Sequence, residues 1–341
     1  MAGPIYRPGE GVEDGWILID GRRVVDAGQG RPPQTPEARG LVLPALVDAH
    51  THVGDRVGRG TLPPGLSLDA LVKPPDGLKH RLLRETPRAA LVAGMREARA
   101  ELRAAGTRAF VDFREGGLDG ARMLREAGDA PRAVSMARCA GAWDDAEAEA
   151  VLREADGIGL SGLGDVPSDV PERAAAVASR RKKRFALHLS EARREDVPRA
   201  LALRPDFLVH VCAYEHDDLA RIAAARVPVV LCPRSNARFG RAPDAPAMLD
   251  AGIALALGSD NAMFHRLDVL EDARLLARLY PAVPVHAWLD AAIAGGARVV
   301  DGAVPRAWLR KGDDAGLLVV EADDVEALFA PHRPRTLCAL V

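Results

Sequence analysis

Lysine is nearly missing from this sequence. Of 46 basic residues in 341, only Lys73, Lys79, Lys182, Lys183 and Lys311 are lysines. With the heavy use of alanine, this reads as genome composition rather than function. Excess charge of either sign is missing too. The 48 acidic residues leave a net charge of −2, so there is no electrostatic footprint for nucleic acid or a membrane surface. Cys139, Cys212, Cys232 and Cys338 stand alone, with no CxxC spacing. This argues against a disulfide framework and a cysteine-ligated zinc site, and fits reduced thiols. Cys212 and Cys232 fall in apolar runs and read as buried small hydrophobes. No apolar stretch approaches the ~20 residues of a membrane span. The opening MAGPIYRPGEG lacks a charged-then-apolar signal pattern. The expectation is a soluble, cytoplasmic protein that engages neither nucleic acid nor membrane.

What is present is alternation. Short apolar runs end at His52, Phe113, Cys139, Gly162, Ser190, Cys212, Cys232 and Asp260, with helix-length segments between them. Thr86-Pro87 reads as N-cap and first helical residue, and Gly106 as the end of that helix. Eight short strands, apolar on both faces, within about 260 residues match a (β/α)8 barrel, with a doubly wound open sheet as the alternative. The fold class is therefore α/β, a TIM-type barrel over residues 44–302. Trp16–Asp20 and Arg23–Asp26 read as a hairpin, and Ala315–Glu321 and Thr336–Val341 as strands. Neither chain end can build a core alone. Residues 1–43 and 303–341 are expected to form one small β-sandwich domain. Two patterns mislead. Gly157–Gly162 spells G-x-G-x-x-G, but its glycines lie within a strand rather than opening a helix. The basic run Arg180–Arg184 sits at a helix C-terminus, where cations are favoured, and reads as a solvated face.

The chemistry concentrates at strand ends. Leu41–His52 (LVLPALVDAHTH) closes on two histidines, and residues i and i+2 of a strand face the same side. His188 ends the fifth strand, with Glu191 three residues on; His210 ends the sixth and Asp260 the eighth. Barrel chemistry sits at these C-terminal ends. Neutral imidazoles with a carboxylate form a donor set for a divalent ion. His216, His286 and His332 have bland contexts.

LPALVDAHTH, LHLSE, LVHVC, LCPRSN and ALGSDNA, in this order, resemble the amidohydrolase superfamily, in particular its cytosine deaminase-like branch of S-adenosylhomocysteine, guanine and aminofutalosine deaminases and triazine chlorohydrolases. The resemblance covers nearly the whole chain. It implies His50, His52, His188 and Asp260 as metal ligands, Glu191 as proton shuttle, and His210 in contact with the attacking oxygen. It implies one divalent ion per chain, Zn or alternatively Fe, which lowers the pKa of water toward ~7. Asp260 would take the water's proton and Glu191 would donate to a ring nitrogen before ammonia leaves. No lysine occurs between His80 and Arg181, so the carboxylated lysine of binuclear relatives has no counterpart, and a mononuclear site follows. The chain is also shorter than many members.

Candidates for substrate contact are Arg114, beside Asp112 and Glu115, then Trp143, Arg234 and Asn236. Lys73 and Lys79 lie in the loop after the first strand, and His80 and His265 in loops on the same side. The expectation is that Arg234 or a loop lysine meets an acidic or polar group and Trp143 stacks on a ring. Three functions stay open: deamination of an amino-substituted heterocycle, purine- or pyrimidine-like; hydrolysis of a C–Cl, N-alkyl or cyclic amide bond; or a non-catalytic scaffold. The partner is a small molecule. Members are often dimers, so a homodimer is expected without any sequence feature that defines its interface.

Overall fold

A computed structural model describes residues 1–63 and 65–340. Pro64, in the long loop after the first barrel strand, and Val341, at the end of the last expected strand, lie outside the described residues. Four strands come first: β1 (Ala2–Arg7), β2 (Gly11–Asp20), β3 (Arg23–Gly28) and β4 (Leu41–Pro44). The barrel strands follow: β5 (Leu46–His52), β6 (Thr107–Arg114), β7 (Arg132–Ala137), β8 (Gly157–Leu160), β9 (Arg184–Leu189), β10 (Phe207–His210), β11 (Val229–Leu231), β12 (Leu255–Leu257) and the two-residue β13 (Asp260–Asn261). β14 (Leu317–Val320) and β15 (Thr336–Leu340) complete the strands.

From β5 to β12, parallel neighbours run in sequence order, without the reversal of a doubly wound sheet. β13 pairs in parallel with β5. β12 and β13 are two pieces of an eighth strand parted by Gly258-Ser259, and together they carry the sheet round to its own first strand. This is a TIM-type barrel. Alternation along each strand explains its packing. Val209, Val230 and Ala256 belong to one buried cluster. Their neighbours Leu208, Leu231 and Leu257 belong to another, shared with Ala174, Ile222, Met248 and Leu276 of the surrounding helices.

The same period of two joins the chain ends to the barrel. The remaining strands form one six-stranded sheet in the order β15-β14-β4-β1-β2-β3. Val42, Leu317 and Val319 pack with Ile5, Ile17 and Val24 on one face. Leu41, Leu43, Leu318 and Val320 join the barrel's large cluster on the other. Strands from the two chain ends thus pair in a single sheet; among the described residues no second sheet faces it to make a sandwich. The apolar run that ends in the two histidines divides at Ala45. Its first half serves the composite sheet and its second half the barrel.

Three local readings differ from the structure. β1 carries Gly3 and Pro4, which hide it from a pattern search; Gly3 lies at φ +140°, where an added Cβ would meet the Gly40 carbonyl oxygen at 2.3 Å. The long helix begins at Arg88 with Pro87 as N-cap. Thr86 instead closes the preceding helix, its hydroxyl donating to the Leu82 carbonyl at 2.7 Å. The loop after β5 is built, with a 3₁₀ turn at Val53–Gly58 and helices at Leu68–Val72 and Leu78–Glu85.

Leu43 is buried where the two sheets' cores meet. Leu43→Ala should cost about 2–5 kcal/mol in urea unfolding, whereas Val12→Ala, half-exposed on β2, should stay within about 0.5 kcal/mol.

Candidate metal centre

Three elements bring the donor atoms together: the end of β5 (His50, His52), the end of β9 (His188) and β13 (Asp260). His50 Nε2 lies 3.2 Å from His188 Nε2 and 3.3 Å from Asp260 Oδ1, and His52 Nε2 lies 3.5 Å from the same carboxylate oxygen. Their outer edges fix the protons. His188 Nδ1 is 2.8 Å from the Leu160 carbonyl and His52 Nδ1 is 3.1 Å from that of Phe113. A carbonyl only accepts, so His188 Nδ1 carries hydrogen and its Nε2 presents a bare lone pair; His52 Nδ1 also stands 3.0 Å from the Lys79 ammonium. Bare nitrogens and a carboxylate facing one another at these distances repel. Donors sharing an ion at ~2.1 Å in tetrahedral array would stand about 3.4 Å apart, so the set fits a divalent cation. Burial and the nearby Lys79 ammonium push His52 down to about 3. Burial and the other histidines hold His188 well below its ordinary value. Both rings stay neutral and available as ligands at neutral pH. Burial opposes charge on Asp260, but hydrogen bonding to His50 keeps its pKa well below the usual carboxylate range.

His210 is built differently. The Asn236 side-chain amide lies 3.2 Å from its Nδ1. With that amide donating, the proton sits on Nε2, 3.5 Å from Glu191 Oε2. His210 therefore offers a hydrogen to the cavity rather than a lone pair. Burial, and then the charge of Asp260, push Glu191 up to about 8. Backbone strain gathers at the same place. Ser190, His210, Val211 and Asp260 all have positive φ, between 53° and 76°. Left-handed backbone at non-glycine residues costs on the order of 1–3 kcal/mol each and recurs at functional sites.

The cavity above these groups measures about 600 Å³ and is walled by Lys79, Phe113, Arg138, Asp165, Asn261 and Phe264 among others. A second cavity of about 1000 Å³ adjoins it, sharing Glu115, Arg138 and Asp165. Trp143 lies there, its indole N–H donating to Asp145 at 2.6 Å, and not over the metal cluster. The expectation for Arg234 is corrected. Its guanidinium grips buried Asp272 at 2.7 and 2.9 Å and donates to the Asp268 carbonyl at 2.9 Å, so it does not line the catalytic cavity. His265 is likewise turned inward, 2.8 Å from the Ser259 carbonyl, and His80 lies 2.9 Å from that of Val72. Asn236 serves His210. Arg114 reaches the cavity wall, but it is buried and tied to Asp112 at 3.4 Å and Glu115 at 3.1 Å. Lys73, on the rim, pairs with Asp69 at 3.7 Å.

Sequence reasoning missed the supports. The Ser235 hydroxyl donates to Asp260 Oδ2. Asp48, two residues before His50, accepts from the Ser259 amide at 2.9 Å and its hydroxyl at 2.5 Å, pinning the break in the eighth strand. The usable signal was position: Ser235 lies between two singled-out residues, and Asp48 is a carboxyl inside an apolar strand.

The barrel, with neutral imidazoles and one carboxylate converging at the strand ends, defines a metal-dependent hydrolase. Comparison with known proteins agrees. The amidohydrolase family pattern matches residues 41–329. The chain is 30% identical to the 5-methylthioadenosine/S-adenosylhomocysteine deaminase of Halobacterium salinarum, over 97% of this chain and 84% of that protein. The fold superposes on a zinc-bound adenosine deaminase from Xanthomonas campestris with a TM-score of 0.76 at 21% identity, covering 97% of this chain and 85% of that one. It also superposes on a zinc complex of atrazine chlorohydrolase from Arthrobacter aurescens with a TM-score of 0.73 at 19% identity, covering 95% and 87%. The chain belongs to the amidohydrolase family and is an enzyme, a metal-dependent hydrolase acting on carbon–nitrogen bonds. No helix among the described residues is long and apolar enough to cross a membrane.

Removing one partner of a buried ion pair costs about 3–5 kcal/mol. Arg234→Met should therefore lower the unfolding free energy by that amount in urea titration and leave KM unchanged in the enzyme that remains folded.

Proposed function

We propose that this enzyme is a mononuclear aminohydrolase that removes an amino group from a heterocycle of the purine or pyrimidine kind. The supporting observation is Glu191. It is a partly buried carboxyl lining the metal cavity, with a pKa pushed up to about 8. It lies beside His210. Such a carboxyl is still protonated at neutral pH and can act as a general acid. The deaminase name of the Halobacterium salinarum relative supports the same reading.

His50, His52, His188 and Asp260 would hold one zinc or iron ion. When bound, the cation supplies Lewis acidity that brings water toward hydroxide at neutral pH. Asp260, steadied by Ser235, accepts the proton that the water gives up. His210, its Nδ1 occupied by Asn236, donates from Nε2 to the oxygen adding to the ring carbon. Glu191 donates its proton to the adjacent ring nitrogen as that carbon becomes tetrahedral. It then takes the proton of the added hydroxyl to the departing amine, ammonia leaves as the carbonyl forms, and the proton held by Asp260 returns Glu191 to its acid form. The composite sheet of residues 1–43 and 303–341 would be a supporting unit for the barrel of residues 44–302. The enzyme would work in the cytoplasm.

Ammonia release screened over purines, pyrimidines, nucleosides and pterins, with metal content by elemental analysis, tests this directly. About one zinc or iron per chain, with ammonia from one compound class, is expected. One metal with chloride or an alkylamine released instead of ammonia would replace deamination by another hydrolysis of the same site. Glu191→Gln should lower kcat by about 10²–10⁴-fold with metal content unchanged. The acid form of Glu191 predominates below about 8. The wild-type kcat should therefore fall as pH rises through that value, and E191Q should lack this alkaline limb.

A further inference from the structure

The metal cluster accounts for the inner edge of His52 but not for what stands behind it. Lys79, on the helix Leu78–Glu85, is almost fully buried. Its ammonium lies 2.6 Å from Glu115 Oε1, 2.9 Å from Asp55 Oδ2 and 3.0 Å from His52 Nδ1. Glu115 Oε1 in turn lies 3.4 Å from His52 Nδ1. Its other oxygen is held by Arg114 at 3.1 Å. Asp55 Oδ2 also accepts from the Asn261 amide at 2.8 Å, next to Asp260. Space for this assembly is reserved in the chain. A Cβ on Gly54 would collide with the Arg114 guanidinium at 2.2 Å.

We propose that Lys79 is a positioning residue for the metal centre, acting through Glu115 to aim the Nε2 of His52. The proposal rests on His52 being a ligand. Glu115, against the imidazole, and Asp55, on the far side of the ammonium, are two buried carboxylates that repel each other and cannot share a fixed arrangement without a cation between them. The ammonium supplies it. Glu115 is then held as an acceptor on the Nδ1 side, and the ring is fixed from behind. Partners of this kind typically change metal affinity by 10–100-fold. The field of the ammonium acts the other way, since a positive charge this close disfavours a second cation. Orientation and field thus predict opposite outcomes when Lys79 is removed.

The experiment is zinc affinity of the full-length enzyme, measured by competition with a chromogenic chelator. Lys79→Met should weaken zinc by about 10–100-fold. Glu115→Gln should do the same, and the double variant should be no worse than either, since the two act as one unit. Unchanged or tighter zinc binding in K79M, or fully additive losses, would overturn the proposal. Circular dichroism checks the fold; if K79M does not fold, Lys79→Gln, which keeps a hydrogen-bond donor but no charge, is read by the same titration with the same expectation. His52→Asn is the control. Unchanged zinc affinity there would remove the ligand reading itself, whereas weakened zinc in H52N with none in K79M would remove only Lys79.

Discussion

Everything in this molecule answers one electrostatic constraint. Ring nitrogens and a carboxylate are set 3.2–3.5 Å apart, His50 against His188 and Asp260, and His52 against Asp260. His50, His52 and Asp260 are buried and His188 partly so, which strengthens their mutual repulsion. A cation relieves it, and the surroundings keep the site ready for one. The outer nitrogens of His52 and His188 meet carbonyls, which keeps those two rings from swinging. Burial keeps the rings neutral, so a metal need not compete with protons.

The same burial that empties the histidines of protons keeps one on Glu191. Desolvation disfavours the charged form of any group, and the charged form is the acid of histidine and the base of glutamate. One cavity thus supplies both lone pairs for a cation and a proton for a leaving group. The left-handed backbone at Ser190, His210, Val211 and Asp260 is where strands are bent so that side chains at their ends point inward.

The barrel, and the gathering of four polar side chains at one end of it, were legible because they depend on local pattern. His50, His52, His188 and Asp260 each end an apolar run, and strand ends in a barrel share one face. The Lys79–Glu115–Asp55 cluster was not legible. A charged residue in a loop looks solvated until distant chain covers it, and these three come from segments that meet only in the folded state. Arg234 misled for the converse reason. A cation just past a barrel strand looks available, but its partner Asp272 lies 38 residues further on, in a helix whose pattern says nothing about it. Pro87 shows the limit of local rules, since a proline one residue out of its expected slot made Thr86 the end of one helix rather than the start of the next.

The break in the eighth strand has a mechanical meaning. Asp260 sits on the short piece that meets β5, and β5 carries His50 and His52. A shared ion would then fasten the first stave of the barrel to the last, like the buckle of a hoop, across more than two hundred residues of chain. Occupancy would count toward folding, adding about 4 kcal/mol when free metal stands a thousandfold above its dissociation constant. For this enzyme the cofactor would be part of the joinery as well as of the chemistry, and metal scarcity would be felt as loss of protein as well as loss of turnover.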